Sequence, residues 1–457
     1  MYSSPFYRRA PIRVQEAAIG VRERILMALR EGRRFRRVLA EINQSQWSGP
    51  AELAALQRFN VLRVVRHAAR NVPYYRELFA RNGWRPEDFA DVGDLNRLPI
   101  VTKKDVLQKP DQFVSTQVSG PRFRISTSGT TGTPLSMVED VAAIVRENAF
   151  IWRHLEWAGF KRGQRRAWLR GDMVVPIEQR AAPFWRYNRP ANMLMMSSYH
   201  ISVTNAHSYL AALADFDPHL ILAYPSSIGL LAGILKNQNS RYDGTNLRSI
   251  VTSSETLTLG TRAMIEDRFR CRVFDHYGSS ERVAIVGTCE AGFYHVESDY
   301  SFVEFENCSD GTRAIVGTAF NNLAMPLIRY DVGDRIGGNV TTEKCDCGRF
   351  MPKIDHIEGR LDDYVITHDG RYVGRLDHIF KDIKHVIEAQ IRQDNVGEVH
   401  ILVTPTADFT PLDERQIVAN AKERLGIGFD VNLELVQEIP RGPSGKFRAV
   451  VRNVDAR

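Results

Sequence analysis

Five cysteines in 457 residues are too few for a disulfide framework, and their scarcity fits a reducing compartment. No apolar run reaches the roughly 20 residues needed to span a bilayer. The first residues also lack the apolar core of a secretory signal. Together these absences predict a cytoplasmic protein without a transmembrane segment. Internal repeats and low-complexity tracts are missing too. A composition of 43% hydrophobic and 25% charged residues is that of a soluble globular chain. The hydroxyl-rich stretch Ser126-Thr127-Ser128-Gly129-Thr130-Thr131-Gly132-Thr133-Pro134-Leu135 lacks the Gly-Lys-Ser/Thr ending of a Walker A loop, which excludes a kinase-like P-loop.

Acidic charge is scarce at one end only. Residues 1–40 hold ten arginines against three glutamates, an excess equal to the +7 of the whole chain. Such an arm can meet nucleic acid, an anionic membrane or an acidic partner. Val21, Ile25, Leu29, Val38, Leu39 and Ile42 recur at helical spacing, so the plainer reading is a helix with one packed side and one solvated side.

What is present points to nucleotide chemistry. The 126–134 loop offers backbone N–H groups and hydroxyls to one anion, and its glycines let the backbone approach closely. It holds no lysine, so a cation must come from elsewhere. Residues 14–82 read as helix with a break at Gly49-Pro50. From about 120 to 355, β-rich runs alternate with helical ones, as in 220–224 then 227–237, and 249–252 then 260–269. That alternation predicts an α/β fold. After about 300 short strands with Gly turns take over, such as 312–319. The composition shifts at Gly359-Arg360. Beyond it, strands at 399–404 and 432–436 and helices at 375–387 and 413–424 predict a small α+β domain. The expected division is 1–82, a helical segment with the arginine arm; 83–358, a large domain; and 359–457, a small C-terminal domain.

Four further motifs follow the loop in order: Tyr277-Gly278-Ser279-Ser280-Glu281, Arg329-Tyr330-Asp331-Val332-Gly333-Asp334, Gly359-Arg360-Leu361-Asp362-Asp363 and Pro440-Arg441-Gly442-Pro443-Ser444-Gly445-Lys446. The series resembles the adenylate-forming superfamily of acyl-CoA synthetases, adenylation domains and luciferases. Val72-Pro73-Tyr74-Tyr75-Arg76, Leu98-Pro99-Ile100-Val101-Thr102-Lys103 and Cys345-Asp346-Cys347-Gly348-Arg349 narrow the likeness to the phenylacetate–CoA ligase branch and its CapK-like proteins. The resemblance runs from about Asn71 to Lys446. It implies a large N-terminal domain of layered sheets and helices, with a small, mobile C-terminal domain.

The resemblance implies ATP as substrate, with Ser126 to Thr133 at its phosphates, Ser254 and Glu255 at the edge of adenine, and Tyr277, Gly278 and Ser279 along the base. Glu281 would hold Mg²⁺, which prefers oxygen ligands and few protein carboxylates. Asp334 suits the ribose hydroxyls, and Arg360 could reach ribose or phosphate. The family usually has a different residue where Asp331 stands, which leaves its role open. Ser253-Ser254-Glu255-Thr256 could equally open a helix, with Ser254 or Thr258 as its cap. Lys446 is the adenylation lysine by this likeness, and its long-stemmed ammonium suits charge developing at the α-phosphate and the carboxylate. Asp362 would be the hinge between two poses of the small domain. Tyr199, His200 and His276 are the candidates for the acyl pocket, although a histidine beside apolar residues is more often structural.

Cys289 and His295, with Cys345 and Cys347, form a set of the Cys₃His kind that holds structural zinc. The Cys-x-Cys spacing is tighter than usual, and unrelated cysteines are the alternative. Members of the phenylacetate–CoA ligase branch carry this arrangement, which favours zinc. The leading expectation is an acid–thiol ligase that forms an acyl-adenylate and passes the acyl group to coenzyme A. The runner-up sends the acyl group to an amine on a sugar, peptide or cofactor. A zinc-bearing nucleic-acid-binding protein is the third reading, which leaves the nucleotide motifs without a role. A homodimer is compatible with the sequence.

Overall fold

Proline and glycine set the borders of the N-terminal helices, which run Pro5–Arg9, Ile12–Arg30, Arg33–Ser45, Pro50–Asn71 and Pro73–Asn82. Pro50 occupies the first turn, and the Glu52 carboxylate accepts the Gly49 N–H at 3.1 Å, so an orphan donor is satisfied. Val72 is extended (φ −109°, ψ 117°), as the residue before a proline must be. Pro73 then opens the next helix, which stops at Gly83 with φ +65°.

The computed structural model describes the chain except residues 3, 118–119, 127–134, 177, 310, 361–364, 368–371, 374–375, 381–382, 384, 427, 442–446 and 455–457, and describes only the backbone of 359–360, 372, 377 and 378. The fold is α/β, with large sheets and helices. The chain divides into two units, one of Met1–Ile19, Gly163–Val273 and Gly359–Arg457, the other of Gly20–Arg162 and Phe274–Glu358. Each unit therefore draws on segments distant in sequence.

In the first unit the strands lie in the order Ser249–Ser253, Leu220–Ala223, Arg166–Arg170, Met193–Ser197 and Trp185–Asn188. The first four are parallel and the last pairs antiparallel at the edge. Parallel strands need crossover segments, and the helices Ala206–Phe216 and Pro225–Asn237 lie in two of them, with Leu259–Phe269 packed on the same core. Leu169, Met196, Ile221, Ile228, Leu231 and Ile265 close the core between them. The C-terminal part of this unit has its own four-stranded sheet, ordered Asp430–Leu435, Glu398–Pro405, Val386–Gln393, Val450–Arg452. The helix Pro411–Leu425, capped by Thr410, packs Ile417 and Ala421 against Val399, Ile401 and Val403.

One expected element differs. Residues 375–387 do not form the predicted helix: the described part is a short 3₁₀ turn, Leu376–Phe380, and the strand that starts at Val386. The i, i+3 spacing of Leu376 and Ile379 suits a helix. From Val386 onward pairing with Glu398–Pro405 wins, and Ile391 and Val399 share one core.

The second unit carries antiparallel strands in the order Ser301–Asn307, Arg313–Ala319, Tyr330–Thr341, Lys353–Arg360, Tyr294–Val296, Ile285–Thr288 and Arg272–Gly278. The helix Pro50–Asn71 buries Val61, Val64, Val65 and Ala68 in a core shared with Tyr75, Phe79, Phe113, Met325 and Leu327. The helix Val141–Trp157, capped by Asp140, carries the fully buried Arg153. Its guanidinium holds Asp299 through two bonds of 2.6 and 2.9 Å, pairs with Glu297, and donates to Ile42 O at 2.9 Å. Ser45 donates to the same Asp299 at 2.5 Å. A charge buried this deeply is tolerated only when paired and hydrogen-bonded, as the two terminal nitrogens of Arg153 are here.

Candidate functional site

The hydroxyl-rich loop is bracketed by a hairpin. Strand Arg122–Ser126 pairs antiparallel with Ser136–Asp140, and Ser126 faces Ser136 across the loop. Leu135 and Met137 anchor the returning strand in the core. Thr127, Ser128, Gly129, Thr130, Thr131, Gly132 and Thr133 lie outside the described residues, as do Asp362, Lys446 and the side chain of Arg360.

Two of the motifs meet in the second unit. The Ser279 hydroxyl accepts the N–H groups of Val283 and Ala284 at 3.2 and 3.3 Å, so it shapes the turn after strand Arg272–Gly278. Arg282 takes a left-handed φ of +64° and reaches Glu139 at 2.6 Å and Glu147 at 2.5 Å. Between them the mostly buried Glu281 accepts from the Tyr330 hydroxyl at 3.3 Å. The Tyr277 hydroxyl donates to Asp334 at 2.6 Å. Asp331, whose role the sequence leaves open, accepts the N–H of Gly333 at 2.8 Å and pairs with Arg335 at 3.3 Å. The neighbouring Arg329 pairs with Glu304 at 3.1 Å and Glu306 at 2.8 Å. The fold thus gathers Tyr277, Glu281, Tyr330 and Asp334 from stretches some fifty residues apart.

His276, on the same strand as Tyr277, lies 5.1 Å from the ring of His154. His154 is 1% exposed and faces Thr288 O at 3.1 Å. Burial pushes its pKa down to about 4, and nearby Arg153 adds to that. The ring fits because residue 287 is glycine: a Cβ there would stand 2.6 Å from His154 Cδ2.

In the first unit Tyr199 and His200 follow the strand Met193–Ser197. Tyr199 donates to Gly171 O at 3.1 Å, and burial pushes its phenol up to about 12. His200 Nδ1 meets Ser197 Oγ at 2.8 Å, and its ring stacks on Phe184. Tyr199 is thereby tied to the segment after strand Arg166–Arg170, and His200 to its own turn and to Phe184. Ser254 has φ +71°, and Arg170 donates to its hydroxyl at 2.8 Å. Thr258 caps the helix Leu259–Phe269, which decides between the two caps offered by the sequence.

Glu255 accepts Ser226 N–H at 3.0 Å on one oxygen and Phe447 N–H at 2.8 Å on the other. Burial raises its pKa, against those amides and Arg441. Arg441 pairs with Glu388 at 2.7 Å, both nearly buried, and burial pushes Glu388 up to about 6 despite Arg441. Sequence reasoning missed this pair. Its only signal is that Arg441 stands in the Pro440–Lys446 stretch.

The cysteine set is built from two turns of one design. In Cys289-Glu290-Ala291-Gly292 the Gly292 N–H bonds to Cys289 O at 2.9 Å, and Cys289 N–H bonds to Phe293 O at 2.9 Å. In Cys345-Asp346-Cys347-Gly348 the equivalent bonds are 2.8 Å and, from Cys345 N–H to Arg349 O, 2.9 Å. Gly292 and Gly348 have φ of +90° and +93°, which other residues rarely adopt. The ligand atoms of Cys289, His295, Cys345 and Cys347 all lie within 4.8 Å of one another. The Cys289–Cys345 Sγ separation is 3.9 Å and the Cys347 Sγ–His295 Nε2 separation is 3.4 Å. A tetrahedron with Zn–S near 2.3 Å and Zn–N near 2.0 Å has edges of about 3.8 and 3.5 Å. His295 Nδ1 lies 2.9 Å from Met351 O, which leaves Nε2 toward the thiols and supplies the outer partner that ligating histidines have. Without a cation, burial pushes Cys289 up to about 12 and His295 down to about 4. Donor set and spacing fit one tetrahedral metal ion.

Parallel strands with crossover helices, an antiparallel sheet carrying the two converging motifs and a small α+β segment after Gly359 are the architecture that the resemblance to AMP-forming ligases implies. The comparisons agree. The chain is 25% identical over 459 residues to Protein CapK of Staphylococcus aureus, covering 98% of this chain and 99% of that one. It is 24% identical over 443 residues to a phenylacetate-coenzyme A ligase of Thermus thermophilus, covering 88% and 96%. The model of the CapK C-terminal domain matches residues 365–453. A crystal structure of 2-hydroxyisobutyryl-CoA ligase in the postadenylation state, in complex with 2-HIB-AMP, aligns with a TM-score of 0.68 at 18% identity, over 88% of this chain and 90% of that one. These likenesses support the adenylate-forming superfamily and, within it, the phenylacetate–CoA ligase and CapK-like branch. Among the described residues no helix is long and apolar enough to cross a membrane.

Proposed function

We propose that this ligase joins a carboxylic acid to the α-phosphate of ATP, releases pyrophosphate, and passes the acyl group of the acyl-adenylate to the thiol of coenzyme A, releasing AMP and a proton. The observation that carries the reading is the convergence of the 277–281 turn with the 330–334 strand: Tyr277 on Asp334 at 2.6 Å, Tyr330 on Glu281 at 3.3 Å. Kinship with phenylacetate-coenzyme A ligases over most of the chain supports it.

In this reading the 126–133 loop donates N–H and hydroxyl groups to the terminal phosphates. The Glu281 carboxylate is the protein ligand for Mg²⁺, which would neutralise phosphate charge when bound. Tyr277 flanks the base with Asp334 toward the ribose, and Arg360 reinforces the nucleotide. Lys446 stabilises charge where the carboxylate attacks. The small domain turns about Asp362 between the two half-reactions, so that Lys446 serves the first and leaves the adenylate open for the second. Cys289, His295, Cys345 and Cys347 hold a structural zinc ion, all four positions closed by protein.

Pyrophosphate exchange into ATP, run against a panel of carboxylic acids, tests the first step without knowledge of the acceptor. Coenzyme A and then amines added to the best acid test the second. Absence of exchange with every acid refutes adenylation, and transfer to an amine but not to coenzyme A replaces the thiol by the runner-up acceptor. Glu281→Gln should raise the Mg²⁺ needed for exchange.

A further inference from the structure

The Pro440–Lys446 stretch leads into Phe447, whose backbone N–H is held by Glu255 at 2.8 Å. That N–H belongs to the peptide bond joining Phe447 to Lys446, and a peptide unit is planar. Phe447 is the first described residue after that stretch. We propose that Glu255 is a positioning residue for the first half-reaction, tying the backbone at Phe447, the neighbour in sequence of the proposed adenylation lysine, to the N-terminus of the helix Pro225–Asn237.

The carboxylate is suited to this. Its second oxygen accepts the N–H of Ser226 at 3.0 Å, inside the first turn of that helix, where unpaired N–H groups and the helix dipole favour an anion. One side chain thus bridges two backbones that lie far apart in sequence. Ser254 beside it has φ +71° and receives a hydrogen bond from Arg170, which fixes the backbone that carries Glu255. On the C-terminal side, Arg441 pairs with Glu388 at 2.7 Å, and its guanidinium lies 5.0 Å from the centre of the Phe447 ring. Ile387, next to Glu388, packs against the core around the helix Pro225–Asn237. The contact at Phe447 is therefore flanked by an ion pair and an apolar contact, and Glu255 is its charged centre. Each oxygen accepts one protein N–H group, so Glu255 ties two backbones together.

This role rests on the adenylation reading for its kinetic consequence but not for its structural one, and the test separates the two. Hydrogen exchange at the Phe447 amide and at its neighbours is measured in the full chain, in Glu255→Ala and in the near-isosteric Glu255→Gln. Pyrophosphate exchange and acyl transfer from a supplied acyl-adenylate are measured on the same proteins. Glu255→Ala should speed exchange at Phe447 about tenfold or more and lower kcat of the first half-reaction by about the same factor, the scale of one charge-assisted hydrogen bond. The KM for ATP should move less than about twofold, and acyl transfer should be unchanged. Glu255→Gln, which keeps one acceptor oxygen, should fall between, and it carries the test if the alanine variant does not fold. Unchanged exchange at Phe447 in the variants overturns the proposal, whatever the activity. A raised KM for ATP at constant kcat overturns it too, since it marks a nucleotide ligand. If the wild-type protein exchanges pyrophosphate with no acid, the function reading fails while amide exchange still decides whether Glu255 holds Phe447.

Discussion

The Tyr277 hydroxyl donates a 2.6 Å hydrogen bond to the Asp334 carboxylate. The tyrosine ring and the acidic side chain, read separately from sequence as base and ribose contacts, are thus one unit whose members orient each other. Tyr277→Phe keeps the ring and removes the tie. We expect the KM for ATP in pyrophosphate exchange to rise about fivefold, the worth of one hydrogen bond near 1 kcal/mol, with a smaller change in kcat. A KM that stays at the wild-type value would place the nucleotide elsewhere.

The twin glycine turns predict a metal content. Elemental analysis should find about one zinc per chain, as four ligands form one closed shell. Cys345→Ser and Cys347→Ser should each lower both zinc content and Tm, because binding of a structural metal contributes to folding. Protein free of metal and of unchanged Tm would remove the site.

His154 predicts a pH dependence of stability. Its folded pKa of about 4 lies below the ordinary histidine value of 6.5, so between those values the unfolded chain binds the proton and the folded one does not. Stability from this group is therefore present above pH 6.5 and lost as pH falls toward 4, amounting to about 2 kcal/mol between pH 7 and pH 5. Urea unfolding at the two pH values should show this loss in the wild type and a smaller one in His154→Gln. Equal losses would mean that His154 is not the group responsible.

The two half-reactions should separate genetically. Lys446→Ala should cost adenylation about 10²-fold or more, the effect of removing one key charge-stabilising group, yet still transfer the acyl group from supplied acyl-adenylate. Asp362→Pro, which restricts φ at the hinge, should form adenylate at near the wild-type rate and transfer it slowly. Equal damage to both steps in Lys446→Ala would refute the two-pose mechanism.

Much of this was legible in the sequence, and the reason differs from part to part. The strands Leu220–Ala223 and Ser249–Ser253 and the helices after them are short apolar runs bounded by turn residues, so local pattern suffices to find them. The Cys₃His set is legible because few residue types bind a soft cation. Residues 375–387 are not, since pairing between strands overrides a helical spacing. Glu255 shows the deeper limit. Its motif suggested a nucleotide contact, and the structure adds a partner that the motif does not announce, a backbone amide 192 positions away, because a backbone amide leaves no mark on residue type.

The two glycine turns that face each other across the cysteine set also have a consequence in polymer terms. Cys289 and Cys345 stand 56 residues apart. A metal ion that grips both converts the intervening chain into a closed ring, much as a covalent staple would. By the loop-closure model a ring of that size removes about 4 kcal/mol worth of conformational freedom from the open chain. The loss falls on the unfolded ensemble whenever the ion stays bound there, and on the folding step itself when it does not. In the first case a bound ion would act as a permanent brace, and in the second its binding would accompany folding.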